Sequence, residues 1–236
     1  MTRWIGGDGD LRRSVELVDT GPQIDWVSGQ ATYTSSGRNF GDPNPRRIIA
    51  VAVPMQSLDN SSELISGTIG GVTATVATQD DHHFTAIMYA RVPNGSSGNI
   101  SMTVNHVGNF VGFPLLYVYR IIAKNLTPFW AESYSNTISP MIFPPAADVT
   151  PPRNSVTIAV GQNNTNRAAT WSTWTATGGT DATGLIEDAD ASVMNGGAAS
   201  CAHRGPETAA NNRWRVQYVT DGGSGTRRGL SAATWN

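Results

Sequence analysis

The chain has 236 residues, of which 16 are Lys or Arg and 18 are Asp or Glu, so its formal net charge is −2. This balance argues against the basic surface with which proteins hold nucleic-acid phosphates, and we expect no nucleic-acid partner. Charged residues make up only 14% of the chain, which also contains 25 Gly and 13 Pro. Such a composition favours short strands joined by turns over helices, and indicates an all-β protein.

We expect neither export nor membrane insertion of this chain. The single cysteine, Cys201, excludes an intramolecular disulfide framework and favours folding in a reducing cytoplasm. The first ten residues carry two acidic residues and no apolar run, so no signal peptide is predicted. The most apolar stretch, residues 110–123, is interrupted by Gly, Pro and Arg and falls short of the roughly 20 residues that span a bilayer.

The predicted elements begin with residues 1–45, which are rich in Gly, Asp, Asn and Arg and have only short apolar pieces. We interpret them as an extended N-terminal arm with two short strands. The continuous apolar run 46–53, stopped by Pro54, predicts a fully buried central strand. Residues 70–76 then alternate between apolar and polar positions, which predicts a half-buried strand.

Two further segments, 84–92 and 100–104, flank the turn-forming residues 93–98 and are predicted to pair as a hairpin. Additional strands are predicted at 113–122, 155–161, 169–175, 214–219 and 230–235. No window of a dozen residues shows a clear helical period, so helix should be minor.

The Pro-rich stretch 140–152 is either a linker between two domains or a long crossover loop within one. The part that follows it is too small and Gly-rich to bury a good core alone, so we favour the crossover loop. The predicted fold is therefore an antiparallel β-sandwich, jelly-roll-like, with an N-terminal arm at 1–45 and a single sandwich domain over 46–236.

A resemblance to known proteins follows the order of these apolar runs. The residues that carry it are Ile48-Ile49-Ala50-Val51-Ala52-Val53, Ile69-Gly70-Gly71-Val72-Thr73-Ala74-Thr75, Ala86-Ile87-Met88-Tyr89-Ala90-Arg91-Val92-Pro93, Gly98-Asn99-Ile100-Ser101-Met102-Thr103-Val104 and the closing Leu230-Ser231-Ala232-Ala233-Thr234-Trp235. Together they resemble β-sandwich virion proteins of tailed bacteriophages, prophages and gene-transfer-agent-like particles of alphaproteobacteria. The resemblance covers residues 46–236.

This resemblance implies a structural component of a virion, assembled in the host cytoplasm, which decorates the capsid or belongs to a tail, baseplate or fibre. Its partners would be other virion proteins and further copies of itself. The arm at 1–45 would anchor it to a neighbouring subunit. The Arg-bearing segments Arg204-Gly205-Pro206 and Arg227-Arg228 are further contact candidates.

One segment gathers side chains that commonly ligate metals, namely Asp80, Asp81, His82 and His83. Consecutive residues of a strand point alternately to opposite faces, so at most two of them would reach one ion. We interpret the segment as a polar loop between strands and predict no metal site.

The other candidate sites match catalytic or metal-binding motifs less well. Cys201-Ala202-His203 lacks a second cysteine or a spaced histidine and is interpreted as a loop, while Asp8-Gly9-Asp10 lacks the later acidic residues of a calcium loop. Glu187, Asp188 and Asp190 are interpreted as a solvated strand face rather than a glycosidase pair. There is no Gly-x-Ser-x-Gly elbow and no phosphate-binding loop. No catalytic, cofactor-binding or metal-binding residue is predicted, and we do not expect an enzyme.

Seven tryptophans leave a second function open, because exposed indole rings stack on sugars. Among them are Trp171, Trp174, Trp214 and Trp235. Two coplanar, solvent-facing tryptophans would indicate a carbohydrate-binding or receptor-binding module for a bacterial surface glycan. Burial in the core or at subunit contacts is the interpretation that a sandwich favours. A polysaccharide hydrolase is the third alternative.

Overall fold

The structure is a computed structural model that describes residues 13–25, 27, 30–57, 62–82, 84–106, 110–113, 115–136, 146–149, 152–163, 172–177, 185–193, 197–206, 214–220 and 228–236. Within these residues all regular structure is β-strand, every strand pairing is antiparallel, and the sheets pack against each other. The chain is thus an antiparallel β-sandwich protein, as the sequence predicted. No helix that could cross a membrane occurs in the described ranges.

The strands fall into two successive groups. The first group is β1 (Ser14–Gly21), β2 (Ile24–Asp25), β3 (Thr32–Asn39), β4 (Arg47–Pro54), β5 (Gln56–Ser57), β6 (Ser62–Ile69), β7 (Val72–Thr73), β8 (Thr75–Gln79), β9 (Thr85–Arg91), β10 (Ser97–His106), β11 (Phe110–Phe113) and β12 (Leu116–Ile122). The second group is β13 (Trp130–Asn136), β14 (Ala146–Val149), β15 (Val156–Asn163), β16 (Ser172–Thr177), β17 (Ile186–Val193), β18 (Gly197–Arg204), β19 (Trp214–Thr220) and β20 (Arg228–Trp235).

Each group forms its own sheets. In the first half, sheet I has the order β1-β12-β4-β9-β8, sheet II the order β3-β10-β6-β7, and the small sheet III the order β2-β11-β5. In the second half, sheet IV has the order β13-β20-β15-β18-β17 and sheet V the order β14-β19-β16. No strand of one half is hydrogen-bonded into a sheet of the other among the described pairings.

The second half repeats the strand order of the first. Matching the strands in sequence, β13-β20-β15-β18-β17 reproduces β1-β12-β4-β9-β8, and β14-β19-β16 reproduces β3-β10-β6. In both halves the first strand pairs with the last, and the chain alternates between two facing sheets, which is the jelly-roll arrangement. The described chain is therefore two jelly rolls in tandem.

Two apolar cores lie on opposite faces of sheet I. The first core, against sheet II, includes Ile49, Val51, Val53, Met88, Ile100, Met102 and Val118. The second, against sheet IV, includes Ile48, Ala50, Ala52, Ile87, Tyr89, Ile158 and Trp235. Because both faces of sheet I are covered, β4 is buried at all eight positions, which confirms the predicted central strand.

The two jelly rolls meet back to back through sheets I and IV. Across the junction β4 lies opposite β15, which is its own counterpart in the second half. Reciprocally, β9 lies opposite β20, while Tyr117 of β12 donates a hydrogen bond to a carbonyl of β18. The junction is therefore formed by strands of sheet I on one side and strands of sheet IV on the other.

The predicted domain boundaries need correction. Strand β1 pairs with β12 from Ser14 to Gly21, and β3 pairs with β10, so the sandwich begins at Ser14 and not at residue 46. The short apolar pieces of this range are edge strands, partly exposed, which is why their pattern is weak. Residues 1–12 of the predicted arm lie outside the described residues.

The single sandwich predicted over 46–236 is in fact divided between the two jelly rolls, with the boundary between Ile122 and Trp130. The Pro-rich stretch 140–152 lies within the second jelly roll. Its described part contains β14, which belongs to sheet V, whereas the preceding β13 and the following β15 belong to sheet IV. Between β13 and β15 the chain therefore passes from sheet IV to sheet V and back.

The predicted hairpin of 84–92 with 100–104 is wrong. Strand β9 pairs with β4 and β8 in sheet I, whereas β10 pairs with β3 and β6 in sheet II. Residues 93–96 form a corner between the sheets because β10 buries Ile100, Met102 and Val104 against sheet I instead of extending it. The alternation of apolar and polar residues in the sequence is the same whether two strands pair in a hairpin or turn a corner into different sheets, so it could not distinguish the two.

Candidate functional site

The acidic and histidine segment after β8 lies at the junction of the two jelly rolls. Asp80 is buried, and its carboxylate accepts hydrogen bonds from the backbone N–H groups of His82 (3.0 Å), Phe84 (3.0 Å) and Thr85 (2.5 Å). The Thr85 hydroxyl donates a fourth bond of 2.8 Å. The carboxylate thereby closes the turn that links β8 to β9.

Burial raises the pKa of Asp80 to about 6, although these four donors favour its charged form. The space behind the carboxylate is filled by the second jelly roll. A Cβ atom on Gly229 of β20 would approach Oδ2 of Asp80 to 2.6 Å and Cβ of Phe84 to 2.7 Å. Gly229 therefore permits β20 to pack directly against this turn.

Hydroxyl groups of the second half form hydrogen bonds with residues in and beside the same turn. The Ser133 hydroxyl of β13 donates to the Gln79 carbonyl at 2.7 Å, and Nδ1 of His82 is hydrogen-bonded to the Ser135 hydroxyl. Next to Asp80, the hydroxyls of Thr85 and Ser231 lie 2.9 Å apart. The segment is thus a polar attachment between the jelly rolls.

Few described side chains of this segment are placed to act as ligands of a metal ion. The Asp80 carboxylate already faces four donors, and the neighbouring Asp81 is exposed. His83 lies outside the described residues. In the part of the chain that the structure describes, no three His, Cys, Asp or Glu side chains converge on a point.

A second polar cluster at the junction joins Tyr119, Asp188 and His203. Nδ1 of His203 lies 2.7 and 2.8 Å from the two carboxylate oxygens of Asp188, and the Tyr119 hydroxyl donates to Oδ2 at 2.7 Å. Asp188 occupies a bulge in β17, between Glu187, which pairs with Ala202, and Ala189, which pairs with Cys201. The bulge leaves Asp188 outside the strand register, beside Tyr119 of the first half.

Cys201 borders this cluster but lacks the properties of a nucleophile. Its thiol is fully buried, and burial raises its pKa well above the ordinary value, so the reactive thiolate is disfavoured. The sequence interpretation placed Cys201-Ala202-His203 in a loop. They lie instead in β18, between β15 and β17, where Cys201 belongs to the second core.

Glu187 and Asp190 project from β17, the edge strand of sheet IV, and both are exposed. Desolvation, together with the hydrogen bond and charge of Asp190, raises the pKa of Glu187 to about 7. The two carboxyl groups are therefore close neighbours on an exposed strand edge.

The described tryptophans contribute to packing. Trp235 is buried, its indole N–H donates to the Leu126 carbonyl at 3.1 Å, and its ring meets Tyr89 edge-on with centroids 5.7 Å apart. Trp130 is half-buried. The side chains of Trp171, Trp174 and Trp214 lie outside the described residues, so the described part contains no coplanar exposed pair.

The remaining contact candidates differ in their placement. Arg204 ends β18 and is buried, so it is not the exposed loop residue that the sequence suggested. The side chains of Arg227 and Arg228, and the segment Asp8-Gly9-Asp10, lie outside the described residues.

Sequence reasoning missed the partnership of Tyr119 with Asp188 and His203. It singled out Asp188 as part of an acidic group and His203 as a neighbour of Cys201, with no signal that joined them. Tyr119 is 69 positions from Asp188 and appeared only as an apolar strand residue.

No protein-family model, curated protein or solved structure matched this chain.

Proposed function

We propose that this chain is a structural component of a tailed-phage or phage-like particle, which acts by stable association and not by turnover. The observation that supports this best is the use of its ionisable groups. Asp80, His82, Asp188 and His203, the residues most suited to chemistry, all form hydrogen bonds at or beside the junction. Two hydrogen bonds of these groups, between His82 and Ser135 and between Tyr119 and Asp188, join the two jelly rolls into one building block.

Edge strands provide the surfaces for assembly. Sheet IV ends in β13 and β17, whose outer backbone groups have no partner strand among the described residues. Both carry an exposed apolar side chain, Tyr134 on β13 (43% exposed) and Ile186 on β17 (58% exposed). An unpaired strand edge is readily covered by another chain, so we expect β13 and β17 to contact neighbouring subunits. Closed rotational symmetry is the common result when the neighbours are identical.

The jelly-roll fold is compatible with this role without proving it. Jelly rolls occur in viral capsid proteins, but also in lectins and cupins, so fold alone does not assign a function. A glycan-binding module is the alternative, and two coplanar, solvent-facing tryptophans would be the observation that favours it.

The anchoring role proposed for the N-terminal arm now concerns residues 1–12, because β1 begins at Ser14. We expect deletion of residues 1–12 to abolish incorporation into particles while leaving the circular dichroism spectrum and thermal midpoint of the purified protein unchanged. Normal incorporation of the deletion variant would rule out the anchor.

The test of the particle role is quantitative mass spectrometry of purified particles from the source culture, with copies counted relative to the major capsid protein. Hundreds of copies per particle would indicate capsid decoration, and a handful would indicate a fibre, spike or baseplate. Complete absence from intact particles would contradict the proposal and favour the free glycan-binding module.

A further inference from the structure

A small cavity opens at the end of sheet I where β4 begins and where β9 and β12 end. It has a volume of about 200 Å³ and is lined by Arg46, Ile48, Arg91, Ala123, Lys124 and Leu126, which we call the basic pocket. Ile48 and Ala123 are buried and form an apolar base. Arg46, Arg91 and Lys124 are exposed and place three positive charges around it.

Within the described residues, none of these three side chains is in an ion pair with a carboxylate. The ion pairs among the described residues lie elsewhere and join Arg38 to Asp19, Arg120 to Glu16 and His203 to Asp188. Lys124 is the only lysine of a chain whose net charge is −2, so the cluster does not follow from general basicity. Three cations around one cavity repel each other and create a local potential that attracts an anion.

Strand register and local hydrogen bonds fix the walls of the basic pocket. Arg91 pairs with Ile48 across β9 and β4, and its guanidinium donates to the Pro45 carbonyl at 2.9 Å. On the opposite wall, the Leu126 carbonyl accepts the indole N–H of Trp235 at 3.1 Å. Arg91 is therefore already ordered before a ligand binds, which lowers the entropy cost of its contact.

The size and lining of the pocket indicate the ligand. About 200 Å³ corresponds to roughly seven water volumes, which accommodates a small ring and is more than a single ion needs. Guanidinium groups match carboxylates with paired hydrogen bonds, and an ammonium adds a point charge. The side chains of Ile48 and Leu126 offer apolar contact to the C–H face of a ring.

We propose that the basic pocket binds an acidic sugar, with its carboxylate held by Arg46, Arg91 and Lys124 and its ring against Ile48 and Leu126. This site does not depend on the role in a particle, since a free protein and a virion component would both present it.

Binding can be measured with the purified full-length protein by isothermal titration calorimetry at low ionic strength, with glucuronate, glucose and inorganic phosphate as probes. We expect saturable binding of glucuronate, none of glucose, and weaker binding of phosphate. Substitutions Arg91→Gln and Lys124→Gln should each weaken glucuronate binding about tenfold, the effect of losing one charge-assisted hydrogen bond. The affinity should also fall as salt is added.

Arg38→Gln is the matched control, because it removes one positive charge from sheet II, away from the pocket, and should leave the affinity unchanged. Thermal melts of all variants establish that each remains folded. The proposal fails if glucuronate does not saturate the protein, or if Arg91→Gln and Lys124→Gln bind it like the wild type. Phosphate binding as tight as glucuronate would show that the ring makes no contribution, and would overturn the assignment to a sugar.

Discussion

The side chain of Arg47 is fully buried, and its five hydrogen bonds all go to backbone carbonyls. Its guanidinium donates to Val92 (2.6 Å), to Phe40 and Gly41 on one side, and to Asn94 (2.8 Å) and Gly95 (2.6 Å) on the other. These carbonyls belong to two loops that approach the start of β4. Arg47 therefore joins both loops to sheet I, a role that sequence reasoning, which saw only the first residue of an apolar run, did not predict.

We expect Arg47→Lys to lower the free energy of unfolding by about 3 kcal/mol, because an ammonium has three donors and leaves buried carbonyls unsatisfied. Arg46→Lys is the control: this neighbour is exposed, and its replacement should change the free energy by less than about 0.5 kcal/mol. Urea denaturation of both variants provides the measurement. Equal stabilities would show that the carbonyl contacts of Arg47 contribute little.

The raised pKa of Asp80 makes the stability of the folded protein depend on pH, and the direction of the shift gives the direction of that dependence. Its pKa of about 6 in the folded protein exceeds the ordinary value of 3.8, so the folded state binds the proton more tightly. The contribution of this carboxyl to stability is therefore full below about pH 4, falls as the pH rises to 6, and is constant above that. The loss amounts to ~3 kcal/mol.

Replacing Asp80 by Asn should remove this component. Urea denaturation between pH 4 and pH 8 should show that the stability of the wild type, relative to Asp80→Asn, declines over the interval from pH 4 to pH 6. Asp81→Asn, which changes an exposed carboxyl of the same turn, should follow the wild type in parallel. A constant difference between the wild type and Asp80→Asn across the whole range would contradict the raised pKa.

At the scale of single strands, Tyr119 of β12 makes the most specific contact across the junction. Tyr119→Phe removes the 2.7 Å hydrogen bond to Asp188, which keeps only His203. We expect a loss of about 1–2 kcal/mol in the free energy of unfolding, as for a hydrogen bond to a charged group. Tyr134→Phe on the exposed face of β13 should have almost no effect. If chemical denaturation gives both variants the same stability, Tyr119 does not help to hold the junction.

Sequence patterns identified strands better than they identified partners. The run that became β4 predicted burial on both faces, and the structure has Ile48 and Ala50 in one core and Ile49 and Val51 in the other. Periodicity specifies which face a side chain occupies but not which sheet covers it. For the same reason, residues 70–76 were predicted as one strand, although Val72–Thr73 and Thr75–Gln79 belong to different sheets.

At the scale of the whole molecule, the sequence did not predict the two jelly rolls because the junction between them resembles a core. Ile158, Val160 and Trp235 of the second half are as buried as residues within either sandwich. The small size and many glycines of the second half led to the prediction of one sandwich, since its inner and outer apolar faces could not be separated in the sequence. The repeat is one of strand order, and strand order depends on pairings that a single sequence does not specify.

The junction predicts that the two halves remain together without their covalent link. Residues 124–127 of the linker between β12 and β13 are exposed, so a protease site inserted between Thr127 and Pro128 should be cleaved in the native protein. The second core and the polar attachments around Asp80 and Asp188 should then hold the fragments as one complex. Size-exclusion chromatography with light scattering should give the mass of the intact chain after cleavage, and two smaller species only in denaturant. Separate elution of the fragments under native conditions would mean that the linker, and not the back-to-back packing of sheets I and IV, keeps the jelly rolls together.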